Sequence, residues 1–119
     1  MIRLLLVEHR PSLCQGLHLL FAIAKDIEVV GVTADCCAAL DAARTLHPDV
    51  VIVDADTTPI DYRAVGALAE IRADAALIIL TLGNARTSQL AEHVSASALV
   101  MKSMPAEMLL NSVREVCRG

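Results

Sequence analysis

Side chains that could take part in chemistry follow four short apolar runs of this sequence. In chain order they are Glu8 and His9, Asp54 and Asp56, Thr81, and Lys102. Carboxylates accept hydrogen bonds, an ammonium only donates them, and a hydroxyl does both. One such residue after a strand is most often a helix cap or a solvated loop residue. Agreement at four positions instead favours one shared site, with an acidic cluster, a hydroxyl and an ammonium side by side.

The elements that must position these residues start with five apolar runs, which predict five β-strands. The runs are residues 4–7, 29–32, 50–53, 77–80 and 99–101. Three of them show almost no alternation of apolar and polar residues, which is typical of parallel strands buried on both faces. Glu28 adds a charge to the second run, so that strand suits an edge of the sheet.

The first segment between the runs has helical periodicity, and Pro11 can occupy its opening turn, where the missing N–H costs nothing. Its leucines form one apolar stripe, Leu13, Leu17 and Leu20, which we expect to face the core. Phe21 lies on an offset face of the same helix. Both burial beside the core and exposure to a partner remain open for this ring.

Four further segments predict helices of the same kind. Asp35 is the expected N-cap of the second helix, because its carboxylate can accept a hydrogen bond from the first turn. The fourth helix, over about residues 84–94, has the weakest pattern. Leu90 and Val94 are its firm apolar anchors.

Strand and helix alternate five times, so the chain is predicted to be an α/β protein with a (βα)5 organisation. Right-handed crossovers then place helices on both faces of a parallel sheet. In such sheets, ligands and chemistry collect at the carboxyl ends of the strands. The residues that follow the strands are therefore expected to meet at one edge.

Length and composition limit the functions that are open to the chain. Its 119 residues match one domain, and 55% apolar residues are too many for a disordered chain. The net charge of −4 and the lack of a basic run argue against direct contact with nucleic acid. The apolar runs are far shorter than the roughly 18 residues of a membrane span. We therefore expect a cytoplasmic protein without a membrane partner.

With these residues in view, the sequence resembles the receiver domains of two-component response regulators, and especially those of LuxR/NarL-type transcription factors. The resemblance covers essentially residues 1–119, which we expect to be one receiver domain. It rests on IRLLLV at 2–7, DIEVVG at 26–31, PDVVIVD at 48–54, LT at 80–81, Lys102, and PAEML at 105–109. The set is specific, although no single segment would suffice.

The resemblance implies a flavodoxin-like, doubly wound (βα)5 fold with strand order 2-1-3-4-5. It implies that Asp54 accepts a phosphoryl group from a histidine kinase, that Thr81 hydrogen-bonds that group and that Lys102 pairs with it. Magnesium would be bound by Glu8, Asp54 and Asp56, the last through its backbone carbonyl. Such a domain is not itself an enzyme.

Position 9 departs from the pattern of these receivers, which carry an acidic metal ligand where this chain has His9. Imidazole is a poor ligand for Mg²⁺, a hard cation that prefers oxygen. We therefore expect Mg²⁺ to bind weakly or not at all. An imidazolium among carboxylates, or a softer metal, are the alternatives at this position.

The resemblance also implies partners beyond the kinase. We expect a homodimer and a separate DNA-binding output domain after residue 119, through which any contact with DNA would be made. The alternative function is an atypical receiver that works as an interaction or dimerisation module without phosphorylation. Leu99 supports that alternative, because it stands where these receivers place an aromatic switch residue.

Overall fold

The structure is a computed structural model that describes residues 1–56, 58, 61–70, 75–83, 85–94 and 96–118. Its strands are β1 (Ile2–Val7), β2 (Ile27–Thr33), β3 (Val50–Asp54), β4 (Ala76–Thr81) and β5 (Ala98–Met101). Its helices are α1 (Pro11–Ile23), α2 (Cys36–Leu46), α3 (Tyr62–Glu70), α4 (Ala85–His93) and α5 (Ala106–Arg118). Strand and helix alternate along the chain, as the sequence predicts.

All five strands form one parallel sheet in the order β2-β1-β3-β4-β5. The (βα)5 prediction and the implied strand order are therefore confirmed. β3 lies at the centre, between β1 and β4. The register aligns Asp54 with Leu80 and Thr81 with Met101, so the carboxyl ends of β3, β4 and β5 reach the same edge.

Helices cover both faces of the sheet, and the two faces have separate apolar clusters. Leu5 and Val7 of β1 pack in the cluster with α2, α3 and α4. Leu4 and Leu6 point to the opposite face and pack in the cluster with α1 and α5. Every residue of β3 and β4 is buried. Their unbroken apolar runs are thus explained by burial on two sides.

The core-facing side of α1 is centred on Phe21, which is completely buried. Leu17 and Leu20 flank it and are partly buried against the same cluster. The prediction that Leu13 faces the core is wrong, since its side chain is 40% exposed. The aromatic ring buries more apolar area than a leucine, and this favours the helix rotation that directs Phe21 inward.

The details predicted for α2 and α4 are confirmed. The Asp35 carboxylate accepts a hydrogen bond from the Ala38 backbone N–H, at 2.7 Å, and caps the start of α2. Leu90 and Val94 anchor the α4 segment and are both buried. Thr87 is buried as well, although its hydroxyl gave no sign of this in the sequence.

We expect Asp35→Ala to lower the free energy of unfolding by about 1 kcal/mol, because a donor of the first turn of α2 loses its acceptor. Urea unfolding followed by circular dichroism measures the change. The matched control is Asp41→Ala, which removes an exposed carboxylate from the same helix. Equal destabilisation by the two substitutions would contradict the capping role.

Candidate functional site

Asp54 is the last residue of the central strand β3 and stands at the carboxyl edge of the sheet. The four residues before it are apolar and buried, so the strand carries the carboxylate to the rim of the core. Its exposure is 1%. A carboxylate that is buried to this degree is unfavourable unless it has a partner. The groups around it therefore determine what it can do.

Lys102 supplies a cation for this carboxylate from the end of β5. Its Nζ lies 2.7 Å from Asp54 Oδ1 and 3.2 Å from Asp56 Oδ2. Its backbone N–H donates to the carbonyl oxygen of Thr81, at 2.7 Å, which holds this part of the chain at the edge. Burial acts to lower the pKa of Lys102, but the two carboxylates outweigh burial and raise that pKa. The side chain stays an ammonium.

Thr81 ends β4 and directs its hydroxyl toward Asp56. Its Oγ1 donates to Asp56 Oδ1, at 2.7 Å, and accepts from the backbone N–H of Gly83, at 3.0 Å. Gly83 has a φ of 95°, a conformation that residues with a side chain rarely adopt. The turn after β4 therefore requires glycine and fixes the direction of the hydroxyl.

Asp56 lies two residues beyond β3, and its side chain turns back over the edge of the sheet. Besides Thr81 and Lys102, the backbone N–H of Leu82 donates to Asp56 Oδ2, at 2.6 Å. The side chain is 17% exposed. Burial acts to raise the pKa of Asp56, yet the hydrogen bonds from Thr81, Leu82 and Lys102 lower it. Asp56 is therefore a carboxylate with a donor on each oxygen.

Glu8 directly follows β1, at the same edge of the sheet as Asp54. It is 3% exposed, and its Oε1 accepts a hydrogen bond from the Arg10 backbone N–H, at 2.9 Å. Burial acts to raise the pKa of Asp54, but hydrogen bonds from Glu8 and Lys102 lower it. Glu8 thus acts together with Lys102 to favour the charged form of Asp54.

His9 does not join this cluster. It is exposed, and it makes no hydrogen bond or ion pair with the acidic side chains in the part of the chain that the structure describes. The predicted metal-binding acids, Glu8, Asp54 and Asp56, do lie together. The Lys102 ammonium contacts the carboxylates of both Asp54 and Asp56.

The donor set therefore does not fit Mg²⁺ in this conformation. Among the described residues, no group of three or more His, Cys, Asp or Glu side chains is arranged to hold a metal ion. The reason is local, since all three acidic side chains already face hydrogen-bond donors: Arg10 N–H for Glu8, Lys102 for Asp54, and Thr81, Leu82 and Lys102 for Asp56. Imidazole at position 9 adds no oxygen ligand.

The structure brings five of the six predicted site residues together: Glu8, Asp54, Asp56, Thr81 and Lys102. The sequence did not indicate the part played by Leu82, because its contribution is a backbone N–H that any non-proline residue can make. It also missed Thr58, which is buried and donates from Oγ1 to the Val7 carbonyl, at 3.4 Å. A threonine in a polar loop carries no mark of such burial.

Curated proteins similar to this chain in sequence include a methylesterase and a response regulator, whereas no family model matches it. A protein-glutamate methylesterase/protein-glutamine glutaminase of Anaeromyxobacter dehalogenans is 36% identical over 74 residues, which is 62% of this chain and 21% of that protein. The nitrate/nitrite response regulator NarP of Escherichia coli is 26% identical over 119 residues, which is 98% of this chain and 55% of that protein. The chain thus spans about a fifth and about half of these relatives.

Solved structures show the same fold. A LuxR-family DNA-binding response regulator from Staphylococcus aureus superposes with a TM-score of 0.86 at 20% identity, covering 98% of this chain and 99% of that one. The receiver domain of NarL from Mycobacterium tuberculosis gives a TM-score of 0.87 at 18% identity, covering 99% and 97%. The chain therefore has the fold of a response regulator receiver domain, and it resembles the receivers of the LuxR and NarL type.

Proposed function

We propose that residues 1–119 form a receiver domain that accepts a phosphoryl group on Asp54. The observation that carries the proposal is the 2.7 Å contact between Lys102 Nζ and Asp54 Oδ1 at the carboxyl edge of the central strand. A carboxylate that attacks phosphorus is an anion approaching an anion. A neighbouring ammonium reduces that repulsion and stabilises the negative charge of the transition state.

In the proposed reaction, one carboxylate oxygen of Asp54 attacks the phosphorus of a phosphohistidine on a histidine kinase. The new O–P bond forms while the P–N bond of the donor breaks. The electron pair of that bond leaves with the imidazole, which is protonated by solvent. Lys102 and Thr81 are then the hydrogen-bond donors for the oxygens of the transferred group.

The proposal includes at most weak binding of Mg²⁺. Glu8, Asp54 and Asp56 are the oxygen donors that would be required to bind it, and His9 replaces the remaining acid. The Lys102 ammonium already contacts two of these acids, Asp54 and Asp56. The chain's own residues supply the positive charge near Asp54.

The partners follow from the same proposal. They are a histidine kinase, a second copy of the chain in a homodimer, and a DNA-binding output domain that would follow residue 119. One of the similar proteins is named as a nitrate/nitrite response regulator, and this chain spans 55% of its length. Among the described residues, no helix combines the length and apolar character that a membrane span needs.

The proposal predicts a phosphoryl adduct on Asp54. Incubation with acetyl phosphate over a range of Mg²⁺ concentrations is expected to add one phosphoryl group, measured by intact mass spectrometry. Asp54→Asn should abolish the adduct, because an amide cannot act as the nucleophile. The matched control, Asp41→Asn on the exposed face of α2, should label like the parent chain.

Two outcomes would contradict the proposal. One is the lack of an adduct at every Mg²⁺ concentration, which would support the phosphorylation-independent interaction module instead. The other is an adduct that persists in Asp54→Asn, because the acceptor would then be another residue.

His9→Asp is predicted to increase the affinity for Mg²⁺ by about tenfold or more, since an oxygen ligand replaces an imidazole. Magnesium titration followed by amide chemical shifts of residues 8–10 and 54–56 gives the dissociation constant. His18→Asp makes the same change in charge at an exposed position of α1 and serves as the control. Identical titration curves for the two variants would disprove the account of position 9.

Lys102→Met is expected to lower the free energy of unfolding by about 2 kcal/mol, because Asp54 stays buried without its cation. The control is Arg114→Met, which breaks the ion pair between Arg114 and Asp26, at 2.8 Å. Both members of that pair are much more exposed, at 32% and 49%, so a smaller loss is expected. Urea midpoints decide the comparison, and a larger loss for Arg114→Met would refute the argument.

A further inference from the structure

The side chain of Asp56 is held by three hydrogen-bond donors that come from two other parts of the chain. Thr81 donates to Oδ1 at 2.7 Å, Leu82 donates to Oδ2 at 2.6 Å, and Lys102 Nζ lies 3.2 Å from Oδ2. One donor is a hydroxyl, one is a backbone N–H and one is a cation. Hydroxyl, amide and ammonium donors that converge on one anion form the kind of site that binds oxyanions.

These donors are positioned by the scaffold and not by Asp56. The Thr81 hydroxyl accepts a hydrogen bond from the Gly83 backbone N–H, at 3.0 Å, which orients the oxygen and leaves its single proton to be donated. Lys102 is held by its backbone hydrogen bond to Thr81 and by its contact with Asp54. The donor set would therefore persist if the Asp56 carboxylate moved away.

A purely structural role at the start of a helix does not explain Asp56. The helix that follows, α3, begins at Tyr62 and is capped by Asp61, whose Oδ1 accepts from Arg63 N at 2.9 Å. Asp56 lies well before that cap. Its carboxylate instead contacts Thr81 and Lys102, which are the proposed donors to a phosphoryl group and must be free to bind it.

We propose that Thr81, Leu82 and Lys102 form an oxyanion-binding site that the Asp56 carboxylate fills as an internal ligand, in competition with a phosphoryl group on Asp54. The proposal rests on the function proposed above and adds its regulation. A phosphoryl group brings about two negative charges and three acceptor oxygens. It would need the same donors and would repel the Asp56 carboxylate, so Asp56 must leave before the phosphoryl group can bind them.

The internal ligand has two consequences. Before phosphorylation, the donors are already engaged by an anion, so the edge of β4 and β5 holds a geometry like that of an occupied site. Phosphorylation of Asp54 is opposed, because each donor must first exchange one anion for another. Removal of the Asp56 carboxylate should loosen the geometry of the β4 and β5 edge and make phosphorylation of Asp54 easier.

The test compares the wild-type chain with Asp56→Ala and with Asp41→Ala, which removes an exposed carboxylate from α2. The first readout is the Leu82 amide, by ¹H–¹⁵N NMR and hydrogen exchange, without any phosphodonor. In the wild type and in Asp41→Ala, we expect a downfield, slowly exchanging amide. In Asp56→Ala, we expect it to move upfield and exchange faster.

The second readout is the binding of inorganic phosphate, followed by the Leu82 and Gly83 amide shifts. Loss of a charge-assisted competitor should let Asp56→Ala saturate at phosphate concentrations lower by at least about tenfold. The third readout is acetyl phosphate labelling of Asp54, whose rate should rise by a similar factor. Asp56→Asn keeps one acceptor oxygen and the shape of the side chain, so it should give intermediate values and serves if Asp56→Ala fails to fold.

The outcomes separate the two proposals. If the Leu82 amide and the phosphate affinity are the same in the wild type and in the Asp56 variants, the internal-ligand proposal is wrong, whether or not Asp54 is labelled. If both readouts change as expected but no chain is labelled, the internal ligand is supported and the phosphoryl-acceptor function fails. A labelling rate that falls in Asp56→Ala would overturn competition as the role of Asp56.

Discussion

The ion pair between Lys102 and Asp54 is the interaction on which the polar edge of this molecule depends. Parallel strands that end together bring Glu8, Asp54 and Asp56 to one place, and like charges at that distance repel each other. The fold accommodates them because the Lys102 ammonium contacts the carboxylates of both Asp54 and Asp56. The same compensation makes Asp54 suited to approach by another anion.

Much of the fold could be predicted because the signals are long and redundant. Unbroken apolar runs in β3 and β4 reflect burial on two faces, and alternation of strand and helix leaves few other architectures. The face of α1 that turns toward the core was harder to predict, since Leu13 and Phe21 lie on adjacent faces that are both apolar. Burial of the ring in the apolar cluster on the α1 and α5 face of the sheet decides between them, and a sequence pattern does not contain that information.

The candidate site was predictable at the level of side-chain types and less so at the level of contacts. Glu8, Asp54, Thr81 and Lys102 end or follow strands, so the topology alone brings them together. The orientation of Asp56 depends instead in part on the backbone N–H of Leu82, which has no residue signature. The exposure of His9 likewise depends on the path of the chain after β1. Contacts made by the backbone are therefore the part of the site that cannot be predicted from the sequence.

Gly83 links the turn after β4 to the site without contributing an atom to the anion contacts. Its φ of 95° is left-handed backbone, and a Cβ at this position would collide with the end of the Met101 side chain. The direction of the Leu82 backbone N–H therefore depends on Gly83, a residue that has no side chain. A substitution of Gly83 would weaken anion binding although Gly83 carries no charge. A search limited to acidic and basic residues would overlook it.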